Sequence, residues 1–311
     1  MSTTPVIEVA GVARSFGDVH AVRDASFVAH AGSVTALIGP NGSGKTTLLL
    51  MLATLLRPDA GTIRIVGHDP VADARAVRIA MGWMPDVLGS WGSVSVRRTL
   101  EITGRLYELG AERARTRAVQ LIELVGLDEL ADQPTRVLSR GQKQRLSLAR
   151  ALVHEPRILL LDEPASGLDP VARIDLRTLV RRLAGEGVAV LVSSHVLAEL
   201  DEMADAAVYL EHGVTASAER IEQSRAQARD WRIRAIEPAQ LAAALSRLGI
   251  AAQVPDHLGT TVSVESESEA AALLNRLVGE GVAITAFGPA VGDLEHTFLD
   301  LSRTNGEGSA S

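Results

Sequence analysis

Val34-Thr35-Ala36-Leu37-Ile38-Gly39-Pro40-Asn41-Gly42-Ser43-Gly44-Lys45-Thr46-Thr47-Leu48-Leu49-Leu50-Met51-Leu52 decides how this chain is read. Its first five residues are apolar and partly β-branched, the pattern of a buried strand. Residues 39–46 fit the phosphate-binding loop G-x-x-x-x-G-K-[ST]. The apolar run that follows reads as the start of a helix. Strand, glycine-rich turn and helix in this order are what the chemistry needs. The glycines let backbone N–H groups turn inward around an oxyanion, and the helix N-terminus adds a favourable dipole. Gly39, Pro40, Asn41, Gly42, Ser43, Gly44 and Thr47 would form the cradle, with Lys45 reaching the β- and γ-phosphates and Thr46 ligating Mg²⁺.

A second motif stands downstream. Ile158-Leu159-Leu160-Leu161-Asp162-Glu163 is an apolar strand ending in two acids. Carboxylates at the C-terminal end of such a strand lie where open α/β sheets bind ligands. Asp162 suits a Mg²⁺ shell, and Glu163 suits a general base or water-orienting group. Most acids at strand ends are helix caps, so the assignment rests on the pairing with the phosphate loop. Together they read as a P-loop nucleotide hydrolase.

The residues between and after these motifs narrow the reading. Leu138-Ser139-Arg140-Gly141-Gln142-Lys143-Gln144-Arg145 resembles the signature sequence of ATP-binding cassette (ABC) ATPases. Ser166-Gly167-Leu168-Asp169 resembles their D-loop, and Ser194-His195 their switch histidine. Phe16 occupies the place of the aromatic that stacks on adenine, and Gly82-Trp83-Met84-Pro85-Asp86 that of the Q-loop. The resemblance implies a two-lobed ATPase domain with a mixed sheet and a helical insert. It further implies a head-to-tail dimer in which Ser139, Gly141 and Gln142 complete the partner's ATP site, with Glu163 and His195 catalytic. Asp86 replaces the usual Gln of the Q-loop. Its carboxylate still suits a hard cation but donates no hydrogen bond when ionised. Asp86 and the Ser-Arg-Gly form of the signature resemble the drug- and antibiotic-exporter branch.

Composition sets limits. The chain has 311 residues, room for one large and one smaller domain. Cys is absent, which removes disulfides and thiolate metal sites and suits a cytoplasmic protein. Net charge is −7, from 31 basic and 38 acidic residues, against a general nucleic-acid surface. No secretory signal is read at the N-terminus, and no apolar run approaches the ~20 residues of a membrane span.

The expected organisation is an ATPase domain over residues 1–215 with its helical insert at about 90–140. A small α+β domain over 216–303 and a disordered Gly/Ser-rich tail over 304–311 complete it. In the insert, Val96, Leu100, Thr103 and Tyr107 share one helical face, and Ala114, Ala118, Leu121 and Val125 another. Trp91, between Gly89 and Gly92, is the candidate partner contact. In the second domain, residues 231–236, 238–248, 251–254, 260–265, 267–277 and 282–287 read β-α-β-β-α-β, a ferredoxin-like order. Leu294, Phe298 and Leu301 follow at helical spacing. His257 and His296 stand alone and read as ordinary surface or core residues.

The resemblance implies the ATP-hydrolysing subunit of an exporter, peripheral on the inner face of the membrane and docked on a separate integral-membrane permease. ATP and Mg²⁺ are its cofactors, and its dimer is of identical or related subunits. An importer ATPase shares the core chemistry and is the nearest rival. A soluble non-transport ABC ATPase fits less well, since one P-loop is present and no long coiled coil or zinc module separates the motifs.

Overall fold

The computed structural model describes residues 5–308 apart from 88, 90, 226 and 254. It divides into two compact units, Met1–Thr215 and Ala216–Ser311.

The first unit begins with two long strands, β1 (Pro5–Phe16) and β2 (Val19–His30), paired as a hairpin. Then come β3 (Val34–Ile38), α1 (Lys45–Leu52), β4 (Ala60–Ile65), α2 (Ala74–Ala80) and β5 (Met81–Met84). The helical insert is α3 (Val96–Leu106) and α4 (Ala111–Leu124), leading to α5 (Arg140–Ala151). The unit closes with β6 (Ile158–Asp162), α6 (Pro170–Gly185), β7 (Ala189–Ser193), α7 (Leu197–Asp201), β8 (Ala206–Glu211) and β9 (Val214–Thr215).

These strands form one sheet in the order β4-β1-β2-β9-β8-β3-β7-β6-β5. Strands β8, β3, β7, β6 and β5 run parallel, and each residue of β3, β6 and β7 is buried. Strands covered on both faces need apolar side chains at every position, hence the unbroken runs rather than alternation. The parallel strands aim their C-terminal ends, and so Gly39, Asp86, Asp162 and Ser193, to one edge. The insert is as the periodicity predicted: Val96, Leu100 and Thr103 are buried on α3, and Ala114, Ala118 and Leu121 on α4.

The second unit contains α8 (Ala218–Arg225), β10 (Arg229–Ala235), α9 (Pro238–Arg247), β11 (Thr260–Val264), α10 (Glu267–Gly279), β12 (Ile284–Pro289) and α11 (Asp293–Gly308). Its sheet, β11-β10-β12, is antiparallel throughout. That matches the ferredoxin-like order, with one correction. The strand expected at 251–254 is reduced to an isolated bridge between Ala252 and Val262, and residue 254 lies outside the described residues. The segment is too short to build a ladder, and Pro255 follows it without an N–H to donate.

Ile233, Leu241, Leu245, Val262, Leu273 and Leu277 form the core of this unit. Helix α11 packs on α8, with Thr297 and Leu301 buried and Ser224 Oγ donating to the Thr297 carbonyl at 3.2 Å. The helix also runs to Gly308, past the start of the tail read as disordered. Once its first turns are docked, each further residue adds a hydrogen bond, and no proline interrupts it. Residues 309–311 lie outside the described residues.

Candidate functional site

The phosphate loop leaves β3 and enters α1 through Gly44, whose φ of 104° is left-handed. A side chain there would collide with the Ala21 carbonyl, so only glycine fits both the dihedral and the space. Gly39 is limited by space alone, since a side chain there would strike the Leu210 carbonyl. Asn41, Gly42, Gly44, Lys45, Thr46 and Thr47 line a cleft of about 320 Å³, together with His20, Asp86, Asp162 and Glu163. Residues far apart in sequence thus meet as the motifs predicted.

Lys45 is buried, and its ammonium donates to the carbonyls of Gly39 at 2.7 Å and Pro40 at 3.1 Å. Burial lowers its pKa, and the nearby carboxylates of Glu163 and Asp162 work against that shift. The Ser43 hydroxyl is buried and has no hydrogen-bond partner among the described residues.

Asp162 ends β6 at 2% exposure. Its Oδ2 accepts from Thr46 Oγ1 at 3.2 Å and its Oδ1 from Ser193 Oγ at 2.6 Å. Burial raises its pKa, the two hydroxyls oppose this, and the neighbouring charges of Asp86 and Glu163 add to it. The donors around this point (Thr46, Asp86, Asp162) are all oxygens, the set a hard divalent cation takes. No group of three or more His, Asp or Glu that could hold a metal ion by itself occurs among the described residues.

Glu163 has φ 50°, unusual for a residue with a side chain. Its N–H donates to Ser193 O and Oγ, each at 3.2 Å. Its carboxylate is met by His195, through Nδ1 at 2.7 Å and the backbone N–H at 3.3 Å. His195 is mostly exposed and is not among the residues that line the cleft. Behind it, Arg173, Arg177 and Arg181 of α6 pair with Glu199, Glu202 and Asp205, tying that helix to α7 and the turn after it.

The remaining expected residues lie elsewhere. Phe16 ends β1 at 47% exposure, outside the lining of the cleft, with the Arg14 guanidinium 4.9 Å from its ring. Ser139, Gly141 and Gln142 do not line the cleft either. Ser139 is the N-cap of α5, and its hydroxyl accepts from Gln142 N–H at 3.2 Å while Gln142 Oε1 accepts from Ser139 N–H at 2.8 Å. Arg140 turns aside to donate to Ser166 Oγ at 2.7 Å. Asp169 is a helix cap too, its carboxylate accepting from Ala172 N–H at 2.9 Å.

Sequence reasoning passed over Ser193 and Gln144. Ser193 was findable, because adjacent parallel strands place Asp162 and Ser193 opposite one another. Gln144 lies within the signature stretch Leu138–Arg145, but the sequence alone does not show that its amide donates to the Glu163 carbonyl at 3.0 Å.

Comparison with known proteins agrees with this geometry. The family model described as ABC transporter matches residues 22–166. The chain is 37% identical to the Daunorubicin resistance ATP-binding protein DrrA3 of Streptomyces coeruleorubidus over 273 residues, 87% of this chain and 84% of the relative. A match of that length extends beyond the first unit. It is 35% identical to the Nod factor export ATP-binding protein I of Ralstonia nicotianae, over 68% of this chain and 66% of that protein. A solved ATP-binding subunit of an ABC transporter superposes with a TM-score of 0.64 at 25% identity, covering 70% of this chain and 92% of the other. The phosphate loop, the paired acids, the switch histidine and these relatives agree, and the chain belongs to the ATP-binding subunits of ABC transporters.

Proposed function

We propose that this chain is the Mg²⁺-dependent ATPase subunit of an exporter, working as a head-to-tail dimer on the cytoplasmic face of a separate membrane permease. ATP hydrolysis is the family's reaction. The observation that carries the finer reading is that Lys45, Thr46, Asp162 and Glu163 share one cleft while Ser139, Gly141 and Gln142 do not line it. A second subunit would bring its signature helix to that cleft, its N-terminal N–H groups facing the phosphates. The phosphate loop and Lys45 bind the β- and γ-phosphates, and Phe16 stacks the base. Thr46, Asp86 and Asp162 would hold Mg²⁺, which neutralises phosphate charge when bound. Glu163 takes the proton of the attacking water, and His195, now paired with Glu163, turns to the γ-phosphate.

Export is supported by the names of the relatives and by the DrrA3 match reaching into the second unit. No helix among the described residues is long and apolar enough to cross a membrane, which fits a separate permease. Its docking surface is assigned to a cleft of about 860 Å³ lined by Ile79, Val87, Trp91 and Leu106 at the insert. Glu163→Gln tests the reading. Turnover should fall on the order of 10²–10⁴-fold while ATP binding persists. Sedimentation should show an ATP-dependent dimer that the wild type does not accumulate. Turnover near wild type would remove Glu163 from this role, and a variant that stays monomeric with ATP would remove the dimer.

A further inference from the structure

We infer that Gln144 is a positioning residue for Glu163, setting the catalytic carboxylate according to where the signature helix stands. The inference rests on the role proposed for Glu163 and adds a residue of the signature stretch to which no role has been given. Three observations carry it. The Glu163 backbone is held in the left-handed region at φ 50°, a conformation that persists only where its surroundings impose it. Its N–H is fixed from the core by Ser193, and its carbonyl accepts from the local turn, through Ser166 N–H at 3.1 Å, and from α5, through Gln144 Nε2 at 3.0 Å. Gln144 is 2% exposed and belongs to α5, the helix that Ser139 caps.

The surroundings of Gln144 make this bond a tie between α5 and the Glu163 carbonyl. Gln144 lines a cleft of about 350 Å³ between the end of α4 and α5 on one side and Pro164, Leu168 and α6 on the other. Solid apolar packing would hold the two walls together without regard to one hydrogen bond. A cleft leaves them free to shift, and the amide of Gln144 spans from α5 to the peptide that carries the base. Movement of α5 by about 1 Å lengthens the bond beyond hydrogen-bonding range. The Glu163 carbonyl then keeps only the local turn bond from Ser166 N–H, its tie to α5 is lost, and the carboxylate is held less firmly at the phosphate cleft. Seating of the signature helix on a neighbouring subunit's nucleotide would in this way be felt at the base of the same chain.

The test compares Gln144→Met, which keeps length without a donor, with Leu148→Met. Leu148 sits one turn along the same helix and lines the same cleft. Gln144→Met should lower kcat on the order of 10-fold with KM for ATP and ADP affinity within about 2-fold. Leu148→Met should keep all three. Gln144→Glu supplies a second reading, and a decisive one should the methionine variant not fold. Its carboxyl donates when neutral and repels the carbonyl when ionised, so its kcat relative to wild type should rise as pH falls from 8 to 6. The charged groups lining the same cleft are Glu123, Arg145, Asp175 and Arg182. Unchanged kcat in Gln144→Met, or equal losses in kcat and affinity, overturns the inference, as does a wild-type kcat in Gln144→Glu at pH 8. Glu163→Gln measured in parallel separates the two levels. If it keeps turnover, the reading of the base fails. If it loses turnover while Gln144→Met does not, only the positioning role fails.

Discussion

At the scale of single residues, His154 makes the clearest prediction outside the site. Its ring stacks on Tyr107 at 3.7 Å between centroids, and Nε2 meets the Met81 carbonyl at 3.1 Å. Nδ1 is buried with no partner among the described residues. Burial pushes its pKa down from 6.5 to about 4, only partly offset by the Met81 carbonyl. The folded pKa is therefore below the unfolded one. Stability is full above pH 6.5 and is lost as pH falls toward 4, where the unfolded chain binds a proton that the folded one refuses. By pH 5 the loss is about 2 kcal/mol, at about 1.4 kcal/mol per pH unit of difference. His154→Phe keeps the stack and should reduce the drop in urea stability between pH 7.5 and pH 5 by that amount. An unchanged pH dependence would show that His154 is already charged in the fold. The contrast with the cleft explains what was legible. Lys45, Thr46, Asp162 and Glu163 carry a local signature, because a loop and a strand end each place their own residues. His154, Ser193 and Gln144 act on groups that only the packed fold brings near, so even Gln144, inside the signature stretch, carries no local cue to its partner.

At the scale of elements, α5 combines two tasks that can be separated. The Ser139–Gln142 box satisfies N–H groups at the helix start, and Ser139→Ala should cost about 1 kcal/mol of stability. Asp is as good a cap as Ser, so Ser139→Asp should unfold within about 0.5 kcal/mol of wild type in the absence of nucleotide. Its carboxylate would nonetheless stand where the partner's phosphates arrive, and like charges at that point oppose closure. Glu163→Gln/Ser139→Asp should therefore remain monomeric with ATP, where Glu163→Gln alone dimerises. Dimerisation by both would show that Ser139 does not face phosphate. Elements whose stability is local were readable in this way: α3, α4, α5, α9 and α10 follow from periodicity and caps. The bridge at Ala252 was misread as a strand because a strand's existence depends on the length of its neighbour's ladder.

At the scale of the whole molecule, the nine-stranded sheet depends on its shortest member. In the order β4-β1-β2-β9-β8-β3-β7-β6-β5, the two-residue β9 is the strand that stands between the β4-β1-β2 layer and the parallel strands carrying the catalytic edge. Val214 pairs with Asp24 and with Glu211. Thr215 Oγ1 accepts from Ser26 N–H at 2.9 Å and donates to Ser26 O at 3.2 Å, and Gly213 O accepts from Arg23 N–H at 2.7 Å. Phe16 and the His20 side of the cleft belong to the first layer, Lys45 and Glu163 to the second. The nucleotide site therefore straddles a junction that residues 213–215 bridge by hydrogen bonds and a shared apolar core packs together. Each unit has its own apolar core, so a chain ending at Thr215 should fold and bind ADP within about 3-fold of the full chain. Ending at Gly213 removes β9 and its side-chain bonds. That should cost about 1–3 kcal/mol of stability at 0.5–1.5 kcal/mol per lost hydrogen bond. It should also weaken adenine-nucleotide binding more than binding of inorganic pyrophosphate, since the loop stays with its own strand while Phe16 does not. Urea unfolding and titrations of the two truncations with ADP and pyrophosphate decide it. Equal stability and equal selectivity in both would show that the first layer is held in place without β9.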